Sequence, residues 1–440
     1  MKKINLESNR LAINGGRKLR SKLWSDNFTI GFREKIAVLK SLSSGYLSLF
    51  EGSNTPDYPF SFFGGPNVRN LEQDWSEYYS VDHSIAMNSA TSGLFAAIGA
   101  LEIGYGDEVI VSPYTMTACA IAPLVYGAIP VFADIDPETG CLDPKSILKK
   151  ISKNTKAILV VHQFGYVAEM DEILNIGKKY KLKIIEDCAQ AHGAKFRNKN
   201  VGTLGDIGVF SLNVNKTIQS GEGGICVTNS KELAYRLQLI RNHGEAVVGP
   251  ANYQNITNIL GFNFRMTEFC AAIASVQLKK LKFFNERRLN LVEKLNKYLE
   301  DHPFFSPLKP LKRLNKDISN GTLQTFYIYP ICFDKNKTNY SREEIVKSLN
   351  AEGLKLDMGY TKPLYLQPLY QKKILFKYSY PFNASPNLNL NQKYDIGICP
   401  NSEMLHNYKL ITSEHIRYPH NNKDINDICR IIDKITNSAT

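Results

Sequence analysis

Lys216 stands in "SLNVNKTIQSGEGG", Ser211 to Gly224, between two short apolar runs, "GDIGVF" and "GGICVTN". Both runs read as buried strands with turn signals beside them, so the lysine sits on a loop that a rigid scaffold can aim. A second apolar run, "KIIEDCAQ", ends in Asp187, and "GVFSL" ends in Ser211. Ala90, Thr91 and Ser92 precede the apolar helix-like run "GLFAAIGAL", where small residues can cap a helix and leave backbone N–H groups for an anion. Taken singly, each has a plainer reading: a solvated cation, a turn residue, an ordinary helix start. Together, an amine, a carboxylate and an anion site match the needs of pyridoxal phosphate, which takes a lysine for a Schiff base, an acid for its ring nitrogen and donors for its phosphate. A dinucleotide would compete for such a crevice, but no G-x-G-x-x-G follows the first strand, and "GTLGDIG" has the wrong spacing.

Helix-like segments such as "MDEILNIGKKY" alternate with the apolar runs "EVIVS", "IPVFADI", "AILVVHQF", "KIIEDCA", "VFSL" and "ICVTN". Unbroken apolar runs between helices predict strands buried on both faces, hence an α/β fold with a mostly parallel sheet. Ligands of such sheets bind beyond the strands' C-terminal ends, where Asp187 and Ser211 fall. One long helical stretch, "MTEFCAAIASVQLKKLKFFNERRLNLVEKLNKYLE", leads toward a second unit. There "LQTFYIYPICF" reads as a strand and "SREEIVKSLNAEG" as a capped helix ending at Gly353. The expected division is an N-terminal segment (1–65), a large cofactor-binding domain (66–285) and a smaller C-terminal α/β domain (286–440).

A chain of 440 residues exceeds one ordinary core. Its net charge of +12 is spread along the sequence without interleaved stacking aromatics, which argues against nucleic acid. No apolar run approaches the roughly 20 residues of a membrane helix, and the N-terminus lacks a signal peptide's apolar stretch. The eight cysteines form no C-x-x-C pair and no zinc spacing. A cytoplasmic protein is expected, with no metal.

The blocks "MNSATSGLFAAIGAL", "GYGDEVIVSPYTMTACA", "GAIPVFADID", "IIEDCAQAHGA", "GDIGVFSLNVNKTIQSGEGG", "RNHGE", "LGFNFRMTEFCAAI" and "KPLYLQPLY" resemble, in this order, the sugar aminotransferase family called DegT/DnrJ/EryC1/StrS. The resemblance implies the aspartate-aminotransferase type of fold (fold type I). Lys216 would carry the Schiff base, Asp187 would pair with the pyridine nitrogen, and Gln190 would contact the ring's phenolic oxygen. Thr91, Ser92 and Ser211 would bind the phosphate. Asn263 would reach the phosphate of the neighbouring subunit's cofactor, making a homodimer with shared active sites. Met116 stands where the family commonly covers the ring with an aromatic side chain, with Tyr114 as an alternative cover. Glu222 would steady the glycine turn.

By the same resemblance, glutamate or glutamine would leave its amino group on the cofactor as pyridoxamine phosphate. A keto sugar, expected to be nucleotide-linked, would then take that group up toward an amino sugar for polysaccharide or secondary metabolism. Pro363-Leu364-Tyr365, Asn213 and Asn215 depart from the family pattern in places where relatives hold substrate. His162 and His192 border the expected crevice and read either as substrate contacts or as hydrogen-bonded core histidines. The alternatives are a sugar dehydratase, in which histidine replaces the lysine, a keto-cyclitol aminotransferase, and a non-catalytic regulatory relative.

Overall fold

The computed structural model describes residues 10–56, 60–387 and 392–439. The larger sheet is built from β1 (His83–Met87), β2 (Glu108–Val111), β3 (Ile129–Phe132), β4 (Thr155–Val161) and β5 (Lys183–Asp187). A two-residue ribbon, β6 (Lys195–Phe196) with β7 (Lys199–Asn200), precedes its last members, β8 (Ile207–Ser211) and β9 (Gly224–Thr228). The order across the sheet is β1-β9-β8-β5-β4-β2-β3. From β8 to β3 every pair is parallel, while β9 runs against both β8 and β1. The expected α/β fold with a mostly parallel sheet is what the chain forms.

Alternation along these strands explains why both faces are covered. Val109, Val111, Leu159 and Val161 enter one apolar core, while Ile110, Ile158 and Val160 enter the other. Successive side chains of a strand point to opposite faces, so continuous apolar runs need helices on each side. Helices α1 (Phe32–Ser43) and α2 (Pro66–Tyr79) precede the sheet, and α3 (Ala90–Ala100) and α4 (Ala118–Val125) follow its first two strands.

The long helical stretch is broken into Glu268–Leu278 and Leu281–Glu300, a departure from the single element that its periodicity predicts. The break at Lys279–Lys280 lets the first part lie on α1 and α2, while the second packs on the smaller sheet and on the last helix, Asn422–Ala439. That sheet is antiparallel, in the order β10 (Phe305–Pro307), β11 (Tyr329–Phe333), β13 (Leu410–Ser413), β12 (Asp357–Met358). The capped helix before Gly353 forms as expected, over Arg342–Ala351: Ser341 and Glu344 make a reciprocal capping box, and Gly353 follows with a φ of 108°.

β3 is an edge of the large sheet, and residues 381–387 and 392–402 lie over it. Asn387 Nδ2 donates to Gly127 O at 2.8 Å, Tyr394 Oη to Pro130 O at 2.9 Å, and Asn401 N to Asp134 Oδ2 at 2.9 Å. Among the described residues, no helix is long and apolar enough to cross a membrane.

Candidate active site

Met87, Gly224 and Ser211 share one level of the sheet, so the ends of β1 and β8 open on the same side as the end of β5. Ser89 caps the start of α3 by accepting from Ser92 N at 3.0 Å. The helix start approaches β9 so closely that a Cβ on Gly224 would come within 2.5 Å of Ala90 N. Only glycine allows that contact, which sets the cap beside the lysine loop.

A cleft of about 1220 Å³, open mouth included, lies over these strand ends. Thr91, Met116, Asp187, Ser211 and Lys216 all line it. Lys216 is only 8% exposed, and its Nζ stands 4.3 Å from the ring centroid of Tyr327. Among the described residues no carboxylate pairs with that amine. Burial lowers its pKa to about 8, although Asp187 and Glu414 favour its charge. The loop is held by Lys216 N donating to Asn213 O at 2.9 Å, and Asn213 Nδ2 donates to Glu222 Oε1 at 2.8 Å across the glycine turn.

Asp187 accepts from Ala189 N on Oδ1 at 2.9 Å and from the Cys119 thiol on Oδ2 at 3.0 Å. A carboxylate has about four acceptor positions, so lone pairs remain for a ligand. Gln190 stands one shell behind the cleft. Its Oε1 accepts from Phe164 N at 2.8 Å, and its Nε2 lies 3.4 Å from the hydroxyl of Tyr360, which does line the cleft. Ser92 is buried, with its hydroxyl donating to Asn88 Oδ1 at 2.6 Å, so Thr91 rather than Ser92 presents the side chain at the helix start. Met116 is 51% exposed at the rim. Tyr114 is buried edge-on to Tyr360 and Phe164, beneath the cleft wall. Asn263 is exposed on its own chain's surface, where its Oδ1 accepts from Arg265 Nε at 2.8 Å, and it does not line this cleft.

The two histidines are core residues. His162 Nδ1 accepts from Ala168 N, so its Nε2–H donates to Glu186 Oε2 at 3.1 Å. Gly202, Leu204 and Gly205 N–H groups saturate the same carboxylate. His192 is fully buried against Trp75 and Phe210, and burial lowers its pKa to about 3. Tyr365 is likewise turned away from the cleft and packs on Phe132. Asn213 and Asn215 do line it.

Tyr327, Tyr360 and Glu414 complete the lining from the chain beyond the first sheet. The donor set fits pyridoxal phosphate. Lys216 offers an amine with no ionic partner among the described residues, Asp187 a carboxylate with spare lone pairs, and α3 a helix start whose Ala90 and Thr91 line the cleft.

Similarity to known proteins agrees with this donor set. The model of the DegT/DnrJ/EryC1/StrS aminotransferase family matches residues 60–386. An L-glutamine:2-deoxy-scyllo-inosose aminotransferase of Streptomyces kanamyceticus is 32% identical over 376 residues, 83% of either chain. A GDP-perosamine synthase of Escherichia coli O157:H7 is 34% identical over 309 residues, 70% of this chain and 80% of its own. An aminotransferase from Psychrobacter cryohalolentis superposes with a TM-score of 0.79 at 26% identity, over 94% of this chain and 99% of that one.

Proposed function

The chain belongs to the DegT/DnrJ/EryC1/StrS family and is a sugar aminotransferase; from that premise we propose that it moves an amino group from glutamate or glutamine to a nucleotide-linked keto sugar, using pyridoxal phosphate. The observation that carries this reading is the buried amine of Lys216, without an acid partner among the described residues, in one cleft with Asp187. Members of the family depend on pyridoxal phosphate in general, and the cofactor, when bound, supplies an electron sink that acidifies the C–H bond beside an amino group.

The chain's own residues supply the rest. Lys216 would hold the cofactor covalently, Asp187 its ring nitrogen, and Thr91, Ser211 and the start of α3 its phosphate. With a pKa near 8, the Lys216 amine is neutral often enough to take the proton from the donor's α-carbon. The same amine returns a proton at the acceptor carbon that receives the amino group. Tyr327, under that amine, limits where it can swing. Asn213, Asn215 and Glu414, which line the cleft, would meet the hydroxyls of the acceptor. A keto-cyclitol acceptor is the second reading, favoured by the activity named for the S. kanamyceticus relative.

A homodimer in the cytoplasm fits this chemistry. Phe28, Phe32, Leu39 and Leu42 are all at least half exposed on the N-terminal segment and α1, an apolar surface suited to burial by a second copy. Asn263 would then reach the partner's cofactor phosphate. The test is to add pyridoxal phosphate and reduce with borohydride, which should fix the cofactor's mass on Lys216. Assays of nucleotide-linked keto sugars and keto-inositols with each donor then identify the acceptor. Absence of a fixed label, together with no transamination across the panel, refutes the reading.

A further inference from the structure

The segment from Gly16 to Thr29 has no regular secondary structure, yet it is pinned at both ends. At one end Arg20 is buried, pairs with Asp424 at 2.8 Å and Asp427 at 2.7 Å, and lies 3.9 Å over the Trp24 ring. Trp24 Nε1 donates to Gly353 O at 2.9 Å, and Ser25 N donates to His420 Nε2 at 3.2 Å. At the other end Gln277 Nε2 donates to Thr29 O at 2.9 Å, and Gln219 Nε2 donates to Thr29 Oγ1 at 3.1 Å.

Between the anchors, one side-chain amide reaches the lysine loop. Asn27 Nδ2 donates to Val214 O and to Lys216 O, both at 2.9 Å. An NH₂ group has two donors, and two carbonyls that no sheet ladder engages take both. The second of these carbonyls belongs to Lys216 itself, so the strap fixes the backbone from which the amine projects. Of the helices at the Arg20 end, Arg342–Ala351, which Gly353 follows, packs on β12 of the smaller sheet, and Asn422–Ala439, which carries Asp424, packs on that helix and on Leu281–Glu300.

We propose that Asn27 is a positioning residue for Lys216: its amide clamps the lysine loop and makes the placement of the amine depend on a strap anchored beside the smaller sheet. This rests on Lys216 being the reacting amine. The amine is kept in its buried position among Tyr327, Asp187, Cys119, His192 and Glu414 by that backbone. A loosened loop exposes it to water, where an amine regains its charge more readily.

The test labels the full chain with trinitrobenzenesulfonate across a pH series, before cofactor is added, and follows Lys216 by peptide mass mapping. Asn27→Asp sets a carboxylate against two carbonyl oxygens, and Asn27→Ala merely removes the donors. In Asn27→Asp the labelling midpoint of Lys216 should rise from near 8 toward that of an ordinary lysine. In the loaded enzyme kcat should fall by about tenfold to a hundredfold with KM little changed and Tm near wild type. Asn27→Ala should move the same way by less, and it carries the test if the aspartate variant does not fold. A midpoint at the wild-type value overturns the proposal whether or not kcat falls, because the strap would then act elsewhere. Failure of the underlying reading looks different: Lys216→Ala would keep its activity.

Discussion

The thiol of Cys119 lies 3.0 Å from Asp187 Oδ2 and donates to it. Burial and the adjacent carboxylate push this thiol well above its ordinary pKa, so it stays protonated and keeps its donor role. Cys119→Ser should preserve turnover, since a hydroxyl also donates, whereas Cys119→Ala should lower kcat by about tenfold, because it leaves a buried acceptor short of a partner. Equal kcat values in the two variants would reduce the contact to packing. Asp187→Asn, which cannot balance a positive ring nitrogen, should lose activity on the order of a hundredfold while cofactor occupancy changes far less.

Replacing Lys216 with alanine should leave the fold and the affinity for pyridoxamine phosphate in place, because Asp187, Thr91 and Ser211 are untouched. Turnover should drop on the order of a thousandfold or more. Steady-state kinetics beside a cofactor titration checks both halves, and a variant retaining a tenth of normal kcat removes Lys216 from its role.

The lowered pKa of Lys216 has a sign that stability measurements can read. Folding disfavours the charged amine, so from about 8 up to 10.5 the unfolded chain binds more protons and stability rises with pH. Below about 8 the group costs the folded state about 3 kcal/mol, the free-energy equivalent of the gap between the two values. In chain free of cofactor, the stability gained by Lys216→Met should therefore be largest below pH 8 and shrink toward pH 10. A pH-independent difference would place the amine in water.

Shared active sites make a numerical prediction. Lys216→Ala and Asn263→Asp should each give nearly inactive homodimers, the second by setting a carboxylate against a phosphate. In a mixed dimer of the two, one site carries both defects and the other carries neither. Random reassortment of equal amounts should restore about one quarter of all sites. If mixed dimers are shown to form and activity stays at zero, Asn263 serves its own chain.

Asp187, Ser211 and Thr91 were legible because each occupies the end of a strand or the start of a helix, and Lys216 because its loop lies between two such strands; periodicity locates these ends. Asp187 and Ser211 fall on the last residues of β5 and β8 as the apolar runs imply. Tyr327, Tyr360 and Glu414 were not legible, since they reach the cleft from positions flanking β11, β12 and β13 of the smaller sheet, and no spacing in the sequence records that approach. Asn27 lies in a stretch without period, held by partners far along the chain. Of the two readings open for the histidines, the structure takes the core one. His162 and His192 neighbour the strand-end residues in sequence, but their rings point into the core, where Glu186 and Trp75 meet them.

The bond between Arg20 and Asp424 joins residues that leave the ribosome far apart in time. At about 5 to 20 residues per second, the acid emerges roughly 20 to 80 s after the arginine. Throughout that interval the large sheet can close, Lys216 can take its place in the chain's fold and Gln219 and Gln277 can hold the Thr29 end of the strap, while its Arg20 end has no acid to grip. The Arg20 anchor is therefore set last, by the helix Asn422–Ala439, and until that helix is made a nascent chain holds the clamp on its amine from the Thr29 side.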